Sequence, residues 1–157
     1  MNNCKEFDEL IVRPSSGDKT RKQAMRELIK NGCVSSLYHH ALTFSRIDWI
    51  RNYALLALVK IANLTTMSAD VAVTIRDEEI VFSDNVDIKK IRNKAARYLF
   101  LFVLTPKKPS KFKKIALMGL LAGEYWEYCD ELLNDQEVEN WVKQTILKYK
   151  KNKNKKI

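Results

Sequence analysis

The chain has 157 residues, of which 46% are hydrophobic and 10% aromatic, and this composition predicts one globular domain rather than a disordered polymer. Four glycines and three prolines are few for the tight turns of an all-β fold, which favours helices. The formal net charge is +9, but residues 143–157 hold seven lysines and no acid, which leaves +2 for the rest of the chain.

The cysteines and the apolar runs bear on cellular location. Cys4, Cys33 and Cys129 are odd in number, far apart and outside any CxxC motif, which predicts no disulfide framework and a reducing compartment. No apolar run reaches the roughly 18 residues of a membrane helix, and the N-terminus lacks a signal-peptide core. We therefore expect a cytoplasmic protein, with a nuclear location as the alternative, and no membrane contact.

Amphipathic spacing predicts helices after a weakly patterned segment at residues 1–17. Asp18 is a candidate N-cap for the first strong helix, and Asn31-Gly32 ends it because glycine accepts the left-handed conformation. A short helix over Val34–Leu42 and a longer one over 49–64 follow.

The segment 67–85 is ambiguous. Apolar residues alternate at Val71, Val73 and Ile75, and again at Ile80 and Phe82. Alternation of this kind is typical of strands, so a small β-hairpin near 71–83 is an alternative to a helix here.

The second half of the chain reads as helical up to a basic tail. A helix is predicted over 86–104, and another begins at Ser110 and continues past Gly123. Asn134 and Glu137 resemble a capping box for the last helix. Three parts follow: an N-terminal segment (1–17), a helical domain (18–147) and a Lys/Asn tail (148–157) with too little apolar material to pack.

An internal repeat carries the prediction of the fold. The sequence Ile-Arg-Asn-Tyr-Ala at 50–54 recurs as Ile-Arg-Asn-Lys-Ala at 91–95, which is 41 residues later. Upstream, Ile-Lys-Asn-Gly-Cys-Val at 29–34 is echoed by Ile-Arg-Asp-Glu-Glu-Ile at 75–80. The offset lies within the roughly 40–47 residues of armadillo and HEAT units.

Residues 26–63 resemble one armadillo repeat, with a first helix ending at Gly32, a second of the form Val-x-x-Leu and a third of the form Ile-Arg-x-x-Ala-x-x-x-Leu. The second copy, to Leu104, resembles a degenerate unit with a shortened middle helix. The resemblance covers about half of the chain. It implies an all-α fold, a short armadillo/HEAT-like solenoid that binds a partner in a groove; an unrelated helical bundle is the alternative.

Residue types that support catalysis or metal binding are sparse. The chain has no GxSxG, P-loop, GxGxxG or HExxH motif, so we expect no enzyme activity, cofactor or small-molecule substrate. His39 and His40 are adjacent and diverge on a helix, and their spacing from Cys33 matches no common zinc site. Four acidic residues share one face of a predicted helix (Glu124, Glu127, Asp130 and Glu131). We interpret this face as exposed to solvent or in contact with basic residues.

Peptide-clamping armadillo proteins carry Trp and Asn four residues apart on the third helix. Aligned on the shared alanine, these positions hold Leu56 and Lys60 in the first copy, and Arg97 and Leu101 in the second. The peptide ladder is therefore not kept. A basic groove or flank is predicted instead, with solvated charges as the alternative (Arg51, Lys60, Arg92, Lys94 and Arg97).

Two lysine-rich segments are candidates for phosphate contacts, because each lysine that meets a phosphate releases condensed counterions. The first is the loop 107–114 (Lys107, Lys108, Lys111, Lys113 and Lys114). The second is the tail (Lys148, Lys150, Lys151, Lys153, Lys155 and Lys156). Lysine offers no base-reading fork, so contacts made in this way tolerate any sequence.

We expect a non-enzymatic binding protein that docks onto a large acidic assembly, with RNA or a ribonucleoprotein such as the ribosome as the partner. In that case the lysines contact rRNA phosphates. The alternative is an armadillo-type adaptor for a protein partner, with the basic tail incidental or a nuclear localisation signal.

Overall fold

The computed structural model describes residues 3–43, 46–65, 71–106 and 108–154, which form eight helices and one antiparallel hairpin. The elements are α1 (Cys4–Val12), α2 (Asp18–Lys30), α3 (Val34–Leu42), α4 (Asp48–Ala62), β1 (Ala72–Ile75), β2 (Glu78–Val81), α5 (Ile88–Leu104), α6 (Ser110–Ala122), α7 (Trp126–Asn134) and α8 (Asn140–Asn154). The predicted all-α class is confirmed, and the segment for which a hairpin was the alternative to a helix forms the hairpin.

Local signals account for the first helices. Helix α2 starts at Asp18, so its N-cap is Gly17 and not the predicted Asp18, and it ends before Gly32, which has a φ of 69°. Glycine reaches that conformation without a Cβ clash, so the chain can turn at once into α3. Helix α5 is capped by Asp87, whose carboxylate accepts a hydrogen bond of 3.1 Å from the Lys90 backbone N–H.

The ambiguous segment contains the hairpin. Ala72 pairs with Val81 and Ile75 with Glu78. The two turn residues between the strands, Arg76 and Asp77, both have positive φ, as a turn that matches the twist of paired strands requires. The inward side chains are buried between α2 and α4 (Val71, Val73, Ile75, Ile80 and Phe82).

Two boundaries in the second half were predicted wrongly. Helix α6 stops at Ala122 instead of continuing, because Glu124 adopts a φ of 58° and turns the chain. Helix α8 begins at Asn140, since Asn134 still belongs to α7. Helix α8 then continues through residues 148–154 of the predicted tail.

The helices repeat at a fixed separation of 92 residues, counted between the first residues of equivalent helices (18 and 110, 34 and 126, 48 and 140). Each pair has the same length: 13 residues for α2 and α6, 9 for α3 and α7, and 15 for α4 and α8. Helix α1 ends at Val12, which is 92 residues before the end of α5 at Leu104. The first four helices therefore correspond to the last four.

The turns at the equivalent positions share their backbone hydrogen bonds. The Cys33 N–H donates to Leu28 O at 2.8 Å, and the Tyr125 N–H donates to Leu120 O at 3.0 Å. Gly32 and Glu124 occupy the same left-handed position. The side chains that repeat in this register are buried in both halves (Ala24 and Ala116, Met25 and Leu117, Leu28 and Leu120, Ile50 and Val142).

The 41-residue relation seen in the sequence joins α4 to α5. Ala54 and Ala95 are both fully buried, and the two helices pack against each other. The predicted shortened middle helix of the second copy is wrong. The chain forms the hairpin there instead, since Val71, Val73 and Ile75 alternate with a period of two, as do Ile80 and Phe82 on the other strand.

The N-terminal helix α1 is attached by polar and covalent contacts. Cys4 forms a disulfide with Cys33 at the start of α3, so the expectation of no disulfide is wrong, and the cysteines no longer support a reducing compartment. The cysteines are 29 residues apart in sequence, but the antiparallel packing of α1 on α2 brings them together. The Asp8 carboxylate accepts hydrogen bonds from Ser36 Oγ and His40 Nε2, each at 2.8 Å.

The core can be tested at a buried alanine. Ala54→Glu places a carboxylate without a partner on α4, and we expect it to lower the free energy of unfolding by roughly 3–5 kcal/mol. Urea unfolding followed by far-UV circular dichroism measures this change. The control is Lys60→Gln on the exposed side of the same helix, which should differ from wild type by less than about 0.5 kcal/mol. Equal stability of the two variants would contradict the described packing.

The disulfide can be tested by counting thiols. Burial raises the pKa of Cys129 to about 11, so at pH 8 its sulfur stays protonated and inaccessible. An aromatic disulfide reagent should therefore detect no thiol in the native protein purified without reductant. It should detect one after unfolding and three after unfolding with reduction. Three reactive thiols in the unfolded, unreduced chain would rule out the Cys4–Cys33 bond.

Candidate polyanion-binding surface

The lysines of the predicted loop make internal contacts. Lys107 lies outside the described residues. Lys108 Nζ donates to the Leu42 carbonyl, and burial, with a smaller contribution from Arg51, lowers the pKa of Lys108. Lys111 Nζ lies 3.2 Å from an Asp48 carboxylate oxygen, and both side chains are exposed.

Lys113 is a buried residue and not a surface one. Its side chain is 2% exposed, and its Nζ lies 3.0 Å from both carboxylate oxygens of Glu139. An ammonium group in this environment is retained only with a partner, so the pair joins α6 to the start of α8. Of this loop, Lys114 remains an exposed cation.

The tail lysines meet the acidic face of α7. Lys150 Nζ lies 2.6 Å from Asp130, and Lys153 forms an ion pair with Glu124. Both ammonium groups also lie over the Trp126 ring, at 5.6 and 5.7 Å from its centroid. Lys148 and Lys151 are exposed, and Lys155 and Lys156 lie outside the described residues.

The predicted groove residues have different surroundings. Arg51 is 3% exposed, with its guanidinium 4.6 Å from the Phe112 ring and its Nε–H donating to Ala41 O at 3.4 Å. Arg51 is therefore an internal residue and not part of an exposed basic groove. Arg92 is half-buried near Tyr125, while Lys60 and Arg97 are exposed.

A run of exposed cations lies on α5. Lys89, Lys90, Lys94 and Arg97, here called the α5 stripe, follow one side of the helix over about 12 Å. The helix contains no acidic residue, and none of the four cations is in an ion pair with another residue in the described part of the chain. The sequence interpretation missed Lys89 and Lys90, although their spacing to Asn93 and Lys94 signals a shared face.

An open cavity of about 490 Å³ lies beside the α5 stripe. Its wall is formed by α5 and by the turn into α7 (Asn93, Ala96, Glu124, Tyr125, Trp126, Glu127 and Tyr128). Asn93 belongs to both features, since it is exposed on α5 between Lys89 and Arg97 and also lines the cavity.

The histidine and cysteine residues do not converge on a metal-binding geometry in the described ranges. Cys33 is in the disulfide, and His40 is buried between Asp8 and Arg46. The Arg46 Nε–H donates to His40 Nδ1 at 3.2 Å, which leaves the ring proton on Nε2 facing Asp8. These groups therefore position α1 and α3.

Comparison of the chain with models of known protein families, with curated proteins and with solved structures gives no match. None of the helices in the described ranges combines the length and the apolar character needed to cross a bilayer.

The Lys113–Glu139 pair predicts an asymmetry between its two partners. Glu139→Ala leaves a buried ammonium unpaired and should lower the free energy of unfolding by about 1–3 kcal/mol, less than for a fully buried pair because Glu139 is 40% exposed. Lys113→Met keeps the volume without the charge, so we expect a change below about 1 kcal/mol. Thermal and urea unfolding measure both. The double variant Lys113→Met with Glu139→Ala should be more stable than Glu139→Ala alone. If it were not, an unpaired ammonium would not explain the loss of stability in Glu139→Ala.

Proposed function

We propose that this protein is a non-enzymatic helical-repeat module of the armadillo/HEAT type that docks onto the phosphate surface of RNA or of a ribonucleoprotein. The repeat assignment is supported by the 92-residue separation, which is two units of 46 residues and falls within the armadillo/HEAT range of roughly 40–47. On this assignment the hairpin occupies the place of the first two helices of a middle unit.

The α5 stripe is the observation that carries the proposal. Lys90 and Lys94 are four residues apart, and Lys94 and Arg97 are three apart, so like charges are neighbours on the helix surface. Each such pair destabilises a helix by about 0.2–0.5 kcal/mol. Lys89 and Lys90 also lie in the first turn, where the helix dipole disfavours cations. The stability of α5 therefore does not explain these residues, whereas a polyanionic partner does.

The loop and the tail contribute less to this surface than their composition suggests. Their exposed lysines without an ion pair in the described part of the chain are Lys114, Lys148 and Lys151. We propose these as peripheral phosphate contacts, together with Lys60 on α4. Lys113, Lys150 and Lys153 act mainly within the fold.

The second candidate is an adaptor for a protein partner. It is favoured by the internal pairing of Lys111, Lys113, Lys150 and Lys153, which gives the basic segments a structural role without any nucleic acid. Capture of a partner from lysate that survives nuclease treatment would favour this candidate over the first.

The proposal predicts a specific effect of neutralising the α5 stripe. The variant with Lys89, Lys90, Lys94 and Arg97 changed to Gln should bind fluorescein-labelled single-stranded RNA more weakly. The slope of log affinity against log salt should flatten by about 0.7 for each lost phosphate contact. The melting temperature should stay the same or rise, because like-charge neighbours are removed. Fluorescence anisotropy over a salt series and thermal melting measure the two quantities.

The matched control changes Lys5, Lys19, Lys22 and Lys30 to Gln. These four lysines are exposed on α1 and α2 and give the same change in net charge. We expect this variant to retain most of the RNA affinity and of the salt dependence. Equal losses in both quadruple variants would mean that net charge alone drives binding, and absence of RNA binding by the wild type at low salt would defeat the proposal.

A further inference from the structure

The cavity beside the α5 stripe has walls that suit a planar, uncharged group. Tyr125, Trp126 and Tyr128 contribute aromatic surface, and Asn93 contributes an amide that can both donate and accept hydrogen bonds. A volume of about 490 Å³ is within the range of roughly 300–1,000 Å³ typical of ligand sites.

The aromatic walls are fixed by contacts within the protein. Tyr128 stacks on Phe100 with ring centroids 4.9 Å apart, and the Tyr125 hydroxyl donates to the Ala62 carbonyl. Trp126 lies beside Tyr149 and beneath the ammonium groups of α8. A ligand that enters the cavity therefore meets rings that are already ordered, which lowers the entropy cost of binding.

The charges of the cavity and of the α5 stripe favour different parts of a nucleotide. Glu124 and Glu127 line the cavity; Glu124 is paired with Lys153, and the Glu127 carboxylate disfavours a phosphate there but can accept a hydrogen bond from an exocyclic amino group. The α5 stripe, in contrast, attracts phosphates and has no acidic residue on its own helix. A nucleotide would thus place its phosphate on the α5 stripe and its base in the cavity, with Asn93 at the boundary.

We propose that an unpaired stretch of RNA runs along the α5 stripe and inserts one base into this cavity, where the Asn93 amide bonds the base edge. This inference rests on the proposed function and specifies the form of nucleic acid. The bases of a duplex are stacked and paired, so they cannot enter, whereas the bases of a single strand can turn out onto aromatic side chains.

The test compares three probes by fluorescence anisotropy: a 12-nucleotide single-stranded RNA, its blunt duplex, and inorganic polyphosphate as an unlabelled competitor. Asn93→Ala should weaken single-strand binding about threefold to tenfold through the loss of its hydrogen bonds. The affinity for duplex and for polyphosphate and the salt slope should not change, because no cation is removed. Asn152→Ala, an exposed asparagine on α8, is the matched control and should bind as wild type.

A second variant, Trp126→Leu, removes the largest ring and should weaken single-strand binding by at least about fivefold. Its melting temperature is measured in parallel, since Trp126 also contacts α8; if it does not fold, Asn93→Ala decides by itself. Equal binding of single strand and duplex, or an Asn93→Ala variant like wild type, would overturn base insertion and leave phosphate docking on the α5 stripe in place. A wild type that binds none of the three probes would overturn both proposals.

Discussion

The burial of α4 is the constraint on which the rest of the fold depends. Nine of its 15 residues are buried, and they cover more than half of the helix circumference. A helix with so wide a buried face needs neighbours on several sides, and α3, α5, α6 and β1 pack against it. Its one buried cation, Arg51, is accommodated by the Phe112 ring and the Ala41 carbonyl. Gly119 allows α6 to approach closely, since a Cβ at this position would come within 2.8 Å of Val59.

Several lysines of the loop and the tail form ion pairs with acidic residues of the same chain. The acids between residues 124 and 139 follow one another without a base in sequence, yet in three dimensions they supply partners for Lys113, Lys150 and Lys153. Glu124 is the residue that pairs with Lys153. Its backbone has the left-handed conformation that Gly32 has at the equivalent position of the first half. The number of lysines in the loop and the tail therefore overstates how many cations these segments leave without a carboxylate partner.

The sequence predicted what local interactions determine. The ends of α2 and α3 follow from Gly32, and the start of α5 lies next to its capping Asp87, so these boundaries were found within two residues. The break after α6 was missed because Glu124, a residue without glycine's freedom, turns the chain there. The disulfide and the burial of Arg51 and Lys113 were missed because they depend on contacts between distant segments. The 41-residue repeat was visible in the sequence because its shared residues are continuous. The 92-residue repeat was not, because the two halves share helix lengths and buried positions and not a continuous run of identical residues.

Among the three longest helices, α5 carries the most exposed cations without a carboxylate partner in the described part of the chain. Helix α4 is enclosed and offers few free positions, and the paired cations of α8 have carboxylates opposite them. Helix α5 is anchored by buried Ile91, Ala95, Leu99 and Phe102, and burying a large apolar side chain contributes about 1.5–3 kcal/mol. The repulsion among its outer cations is smaller than this by several fold. The inner face can therefore fix the helix while the outer face carries charges that the fold does not use, and these charges border the aromatic cavity.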